Sequence, residues 1–263
     1  MLKNFRQNLF SELMKIGCSK VCKIVALLVI GVQGLLAYVA AKQNLSVGLN
    51  ATPETCPGLL EAMPPIEFMG FDVIMFGTIP MIVLGAICGS TEYKMHSLRI
   101  TLLSFGKKSR VFVVKTISVT FLAFILSLTS VVVVITITHM TFGEEGLTPI
   151  VFNAMVWKYI FLSTIAITLL TVLAYVIGFL CRTAVFPMLF LIIQAYNVGD
   201  MLTERFTICK LLPVSLVNRL IATSKSMLTP NPMQNIAWLL VWIMVIGTVG
   251  FWRFLKSDLR GEY

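Results

Sequence analysis

The sequence predicts an all-α polytopic membrane protein, with one transmembrane domain over residues 1–263. Hydrophobic residues make up 57% of the chain and charged residues only 13%, about half of the share in soluble domains. The hydrophobic residues form long uninterrupted runs, and basic residues cluster between alternate runs. These three observations argue against a water-soluble globular domain.

Six hydrophobic runs are predicted to be membrane helices. A helix needs about 20 apolar residues to cross the hydrocarbon core, and backbone polar groups in lipid must pair within the segment. The runs cover residues 24–41, 68–88, 116–138, 159–180, 184–196 and 236–255. The fifth run has only 13 residues. It either continues to Leu202 across Asp200 or ends early as a half-buried helix.

Residues 1–20 are predicted to form an amphipathic helix ahead of the first run. One face is apolar and the remainder is polar, the two sets being Leu2, Phe5, Leu9, Leu13 and Ile16, and Lys3, Arg6, Glu12 and Lys15. We expect such a helix to lie in the membrane interface, with its basic residues near anionic lipid. Packing on a soluble partner is the alternative.

The basic residues also predict the orientation. With the N-terminus in the cytoplasm, the cytoplasmic segments hold 15 of the 21 Lys and Arg residues, in agreement with the positive-inside rule. Both termini are then cytoplasmic, and the predicted location is the cytoplasmic membrane of a bacterium. The net charge of +9 is thus a topology signal, and we expect no nucleic-acid partner.

The last outer segment, residues 197–235, has a composition of its own. It contains a moderately apolar stretch that is broken by Pro213 and carries Lys210 and Arg219. Because it is too polar and too interrupted to span, we predict a re-entrant or surface-lying helical element before the sixth helix. Cys56 and Cys209 are the two cysteines on the outer side. They are either bridged or unpaired, and the sequence leaves both possibilities open.

Motifs for catalysis and nucleotide binding are missing from the sequence. There is no HExxH, no GxSxG and no complete Walker loop, which requires G-x-x-x-x-G-K-[ST]. His96 and His139 are predicted on opposite sides of the membrane, so they cannot form a pair. We therefore expect no catalytic residue, metal or cofactor on this chain, and any ATP-driven step needs another polypeptide.

The inner segment, residues 89–115, is short, basic and amphipathic. Residues 92–99 are predicted to form a short helix that continues from the second run, with Tyr93 and Ser97 on one side. Glu92, Lys94 and Arg99 are then available for ionic contacts. Such a helix suits a groove on a soluble subunit, with apolar anchors for affinity and charges for register. The alternative is a solvated basic loop that serves only the positive-inside rule.

This segment resembles the coupling-helix region of permeases in the ABC transporter type-2 family. In that family E-Y-x-x-G-T-L-R is followed by a leucine, a Pro or Gly turn, Ser-Arg, and a Lys at the start of the third helix. The matching residues are Glu92, Tyr93, Leu98, Arg99, Leu102, Gly106, Ser109, Arg110 and Lys115. His96 replaces the usual Gly, and Ser97 the usual Thr. The order of predicted helices along the chain is also similar.

The resemblance implies the permease subunit of an ABC exporter. Such a subunit pairs with a second copy or a related permease and binds two separate ATPase subunits, which hold the ATP and Mg²⁺. The residues implied to dock on the ATPase are Glu92, Tyr93, His96, Leu98, Arg99 and Leu102. The implied cargo is an amphipathic peptide, an antibiotic or another hydrophobic compound, which passes between the second and fifth helices of the two halves.

Gln194 and Asn197, at the end of the fifth run, are polar side chains that either contact cargo or make interhelical hydrogen bonds. Two other classes of function stay open at this point. One is a membrane scaffold or sensor that transports nothing, and the other is a membrane hydrolase whose site no motif reveals.

Overall fold

The described part of the protein is a bundle of helices. The computed structural model describes residues 2–55, 62–93, 107–148, 151–195, 205, 207–221 and 231–256. The long helices are α1 (Leu2–Gly17), α3 (Gln33–Val47), α4 (Phe71–Ser90), α5 (Lys108–Phe142), α6 (Ala154–Cys181) and α9 (Pro232–Lys256), and the short ones are α2 (Lys20–Ala26), α7 (Val185–Ile193) and α8 (Pro213–Asn218). A π-helical segment, Leu27–Val32, joins α2 to α3, and four 3₁₀ turns cover Ile66–Phe68, Thr91–Tyr93, Gly143–Glu145 and Thr207–Leu211. Every regular element in these ranges is helical.

Five of the helical segments are long and apolar enough to cross a membrane. They are Lys20–Val47, Ile66–Ser90, Lys108–Glu145, Ala154–Cys181 and Pro232–Lys256. These segments contain the first, second, third, fourth and sixth predicted runs, so the prediction of a multi-pass helical membrane protein is confirmed. In the fifth run, residues 185–193 form α7 and residues 194 and 195 follow it, whereas residues 196–204 lie outside the described residues.

Helix α5 is longer than the membrane requires. Its 35 residues extend over about 52 Å, whereas the hydrocarbon core is about 30 Å thick. The predicted run began only at Thr116, because Lys108, Arg110 and Lys115 interrupt the apolar pattern before it. The structure continues the helix through these basic residues, so α5 begins about two turns before the predicted run, and Val111 and Val114 in these turns are buried.

Helix α6 is the centre of the bundle. In its most hydrophobic stretch 78% of the residues are buried, against 22% in α9, which lies at the periphery. α4 approaches α6 so closely that a Cβ at Gly85 would meet the carbonyl oxygen of Thr171, and one at Gly89 that of Tyr175. Gly85 and Gly89 form a small-xxx-small pair of the kind that lets membrane helices pack backbone to backbone.

The helix ends meet in two groups. At one end, which we call the inner end, the Lys108 Nζ donates to the Leu255 carbonyl at 3.2 Å, and the Arg253 Nη1 to the Leu180 carbonyl at 3.2 Å. At the opposite, outer end the rings of Phe68 and Tyr159 lie 5.1 Å apart. α9 therefore runs parallel to α6 and antiparallel to α5.

The amphipathic helix α1 packs against the inner end of the bundle. Phe5 and Leu9 contact Val111 and Val114 of α5, and Ile16 packs near Val119 and Tyr175. The predicted apolar face is thus the contact face. One residue of the predicted polar face is placed differently, because Glu12 is only 4% exposed. Its carboxylate turns inward to Lys115, on the side of α1 that packs on α5.

The described part of the predicted re-entrant segment is also compact. Pro213 occupies the first turn of α8, and the five residues from Pro213 to Val217 are all buried. The indole Nε1 of Trp242 donates to the carbonyl of Leu211 at 2.9 Å. Trp242 lies ten residues into α9, about 15 Å along its axis, so the start of α8 packs beside the middle of that helix.

Candidate functional site

Four aromatic side chains at the inner end hold together the helices on both sides of the predicted coupling segment. We call Tyr93, Phe112, Phe179 and Phe254 the inner aromatic cluster. Phe179 is its centre, 1% exposed, and its ring centroid lies 5.4 Å from that of Tyr93, 5.2 Å from that of Phe112 and 5.1 Å from that of Phe254. Each such pair contributes about 0.5–1.5 kcal/mol beyond its buried area. The end of α4 and the start of α5 are thereby tied to α6 and α9.

Cationic side chains surround this cluster. The guanidinium of Arg182 lies 5.2 Å from the ring centroid of Tyr93, in a cation–π contact. Arg182 has a φ of 58° as the residue that ends α6, and this left-handed conformation turns the chain at the inner end. Lys108 and Arg253 donate to backbone carbonyls near the carboxyl ends of α9 and α6. Cations at these positions are favoured by the helix dipole.

The predicted ATPase-docking residues divide into two groups. The backbone of Glu92 lies in the 3₁₀ turn Thr91–Tyr93, and Tyr93 is half-buried, with its ring against Phe179 and Arg182. Tyr93 therefore packs as part of the bundle, near the start of the inner segment. The other docking residues, His96, Leu98, Arg99 and Leu102, lie outside the described residues. Their role stays a prediction.

A buried ion pair lies beneath α1, close to the inner aromatic cluster. The Nζ of Lys115 is 3.7 Å from the Oε2 of Glu12, and both side chains are 5% exposed. Beside the pair is a cavity of about 180 Å³, lined among others by Ser19, Thr91 and Tyr175. In the sequence, Glu12 belongs only to the polar face of residues 1–20, and Lys115 only to the basic inner segment. Only the contact between α1 and α5 brings them together.

A second polar cluster lies among the first three long membrane helices. The Nε2 of Gln33 donates to the carbonyl of Val73 at 3.1 Å, and the Ser130 Oγ lies 2.9 Å from both the Gln33 Oε1 and the Val29 carbonyl. A Cβ at Gly77 would overlap the Gln33 amide. The π-helical segment Leu27–Val32 ends directly before Gln33. The sequence signal for this cluster is Gln33, a glutamine inside the apolar run of residues 24–41.

The candidate cargo and disulfide residues are only partly described. Gln194 is 6% exposed, and its Nε2 donates to the carbonyl of Phe190 in its own helix at 2.8 Å. Asn197, its predicted companion, lies outside the described residues. Cys209 is half-buried, and Cys56 also lies outside the described residues. Neither the cargo path nor the disulfide is tested by these contacts.

The described residues contain no group of three His, Cys, Asp or Glu side chains that is arranged to hold a metal ion. Comparison with known proteins found no matching family model, no matching characterised protein and no matching solved structure. The class of the molecule, a helical multi-pass membrane protein, therefore follows from the five long apolar helices alone.

Proposed function

We propose that this chain is the permease subunit of an ABC exporter in a bacterial cytoplasmic membrane, with ATPase subunits bound at its inner end. The similarity of residues 92–115 to the coupling region of type-2 ABC permeases motivates the proposal. ATP and Mg²⁺ bind to the partner ATPases in this scheme. The inner end is the cytoplasmic end, with both termini on that side.

The inner aromatic cluster is the observation that carries the proposal. In the chain, residues 94–106 join Tyr93 to Lys107, and Tyr93 and Phe112 both pack on Phe179 of the central helix. A force applied to this segment therefore reaches α4, α5 and α6 together. A transporter driven by separate ATPases needs such a connection, whereas a loop that only recruits a partner does not.

The fifth crossing of the membrane is proposed to consist of several short helices instead of one long helix. α6 ends at the inner end and α9 begins at the outer end, so residues 182–231 carry the chain between the two. Within them α7 has nine residues and α8 has six, and each is shorter than a membrane span. The buried α8 and the bond from Trp242 to Leu211 support a re-entrant element before the last helix.

The transport path is proposed to form between two permeases, either two copies of this chain or this chain and a related one. Amphipathic peptides, antibiotics or other hydrophobic compounds are the proposed cargo. Gln194 directly follows α7, the short helix that packs against α4, and this supports its proposed position on a path between the second and fifth helices. Its amide and that of Asn197 are the proposed polar contacts for cargo.

Co-purification with the ABC ATPase encoded beside this gene tests the proposal. We expect a stable complex in detergent, in which this chain changes ATP turnover. Glu92→Ala with Arg99→Ala should remove the complex. Tyr93→Ala should leave the ATPase bound but reduce the change in turnover roughly tenfold, the equivalent of one or two lost aromatic contacts.

Tyr38→Ala is the matched control for Tyr93→Ala. Tyr38 also stacks under a cation, since the Nζ of Lys42 lies 4.9 Å from its ring, but it is exposed on α3, away from the inner end. We expect no change in turnover from it. A chain that purifies alone and leaves turnover unchanged would contradict the exporter proposal and favour a membrane scaffold. Hydrolytic activity without any ATPase would favour a hydrolase.

A further inference from the structure

An apolar groove runs between α5 and α9 on the surface of the bundle. Its volume is about 290 Å³, and it is lined chiefly by Val113 and Thr116 of α5, Met244, Gly247 and Phe251 of α9, and Val176 of α6 at its floor. Thr116 directs its hydroxyl to the carbonyl of Phe112 at 2.9 Å. Thr248, at the same groove, directs its hydroxyl to Met244 at 2.9 Å. The groove therefore presents carbon atoms to its occupant.

The groove exists because the side chain of α9 that would fill it is missing. Gly247 lies over Val176, and even a Cβ at this position would be 3.7 Å from the Val176 Cγ1, an ordinary van der Waals distance. One turn closer to the inner end, the rings of Phe112 and Phe251 lie 5.2 Å apart and line the end of the groove. The groove is thus open to the membrane at its side, and two aromatic rings border it toward the inner end.

Basic side chains lie just beyond the end of the groove that Phe112 and Phe251 border. The described inner ends of the two helices carry Lys107, Lys108, Arg110, Arg253 and Lys256 and no acidic residue. The Nζ of Lys256 lies 4.0 Å from the ring of Trp252. Thr248, Trp252 and Lys256 follow one another at intervals of one turn, so Lys256 is about 12 Å along α9 from the groove. Lys108 lies one turn before Phe112.

We propose that this groove is a binding site for an anionic phospholipid of the leaflet at the inner end. One acyl chain lies between α5 and α9 against Val176, and the phosphate lies between Lys108 and Lys256. A carbon-lined groove at the depth of the hydrocarbon core, with cations one to two turns away at headgroup depth, matches the two parts of such a lipid. Basic pockets between membrane helices bind anionic headgroups in this manner. The site depends on membrane insertion and not on the exporter proposal.

The test compares phosphatidylglycerol with phosphatidylcholine of the same acyl chains, each added to the purified chain in detergent. Native mass spectrometry counts the bound lipids, and the melting temperature reports their effect on stability. We expect phosphatidylglycerol to bind more tightly and to raise the melting temperature more. Lys108→Ala and Lys256→Ala should each weaken its binding roughly fivefold, and Gly247→Leu should abolish it.

Lys42→Ala is the matched control, because Lys42 also stacks on an aromatic ring but belongs to the outer end of α3. It should leave phosphatidylglycerol binding unchanged. Lys256 is exposed, so its removal tests the site even where Gly247→Leu disturbs the helix packing. Equal binding of the two lipids, or full binding by both lysine variants, would overturn the proposal. A change of oligomeric mass in Gly247→Leu without loss of bound lipid would overturn it too, in favour of a second copy at the groove.

Discussion

Glu12 and Lys115 illustrate how a charge becomes part of the interior of this protein. Each sits on a helix whose neighbouring residues are polar enough for the charge to look solvated in the sequence. When α1 packs on α5, the two side chains become 5% exposed and lie 3.7 Å apart. Removing one partner from such a pair leaves the other side chain with an uncompensated desolvation cost. The pair therefore fixes how α1 sits against the bundle.

The first prediction concerns this pair. Lys115→Ala should lower the free energy of unfolding by roughly 1–3 kcal/mol, because the Glu12 carboxylate loses a buried partner. Unfolding in detergent, followed by circular dichroism, measures the change. Lys15→Ala is the matched control: Lys15 also reaches Glu12, at 3.8 Å, but its side chain is 49% exposed. An exposed pair is worth at most about 1 kcal/mol, so a larger effect from Lys15→Ala would contradict the prediction.

At the scale of the helices, the close approach of α4 and α6 determines how the residues at their inner ends meet. Gly85 and Gly89 of α4 face Thr171, Tyr175 and Gly178 of α6, with no side chain between the backbones. In lipid there is no hydrophobic drive between helices, so packing of this kind supplies much of the association energy. Tyr93 lies directly after α4 and Phe179 directly after Gly178. The glycine contact thus sets the register in which these two rings meet.

The second prediction tests that contact. Gly85→Ala should destabilise the protein by about 1–3 kcal/mol, because the new methyl group overlaps the Thr171 carbonyl and the helices must separate. Melting temperature in detergent measures it. Gly250→Ala is the control: Gly250 is also buried in a long helix, but a Cβ there would be 3.6 Å from the Leu180 Cβ. Equal destabilisation by both variants would show that any added methyl is harmful and would refute the argument.

At the scale of the whole molecule, apolar helices join two ends that differ in charge, because basic residues gather at one of them. Lys108, Arg182 and Arg253 gather where α5 begins and α6 and α9 end. The positive-inside rule is the reason for proposing that this end is cytoplasmic. Because α1 packs at the end of the bundle where α9 ends, the proposed topology has an even number of crossings, one of them made by residues 182–231.

The third prediction is the side on which each end is accessible. Cys18, which is exposed at the inner end, should react with a membrane-impermeant maleimide only after cells are permeabilised. The other five cysteines are replaced by alanine for this measurement. Ser46→Cys, at the exposed end of α3, should react in intact cells when introduced into a chain without other cysteines. Labelling of both positions in intact cells would contradict the topology.

A fluorescent protein fused after residue 263 checks the count of crossings independently. Six crossings place it on the same side as Cys18, where green fluorescent protein folds in the bacterial cytoplasm. A dark fluorescent-protein fusion, together with an active fusion to an enzyme reporter that works only outside the cytoplasm, would mean five crossings. α7 and α8 would then be parts of an element that enters and leaves the membrane on one side.

The sequence alone was sufficient for the class of the protein and for five of its long helices. Run length and composition are local properties, and in lipid they dictate a helix because every backbone polar group must pair within its own segment. The sequence also showed that the fifth run is shorter than a membrane-spanning helix. The basic inner segment could also be located, since charge is read residue by residue.

Only the tertiary structure decided which helices are neighbours, and the details of the site depend on that. The inward packing of Tyr93 on Phe179, the pairing of Glu12 with Lys115 and the contact of Gln33 with Ser130 each join residues 86 to 103 positions apart. The sequence around one residue of such a pair does not indicate which distant residue it contacts. A helix face is apolar or polar in the sequence, but the energy of burying a charge or a ring is set by what lies opposite.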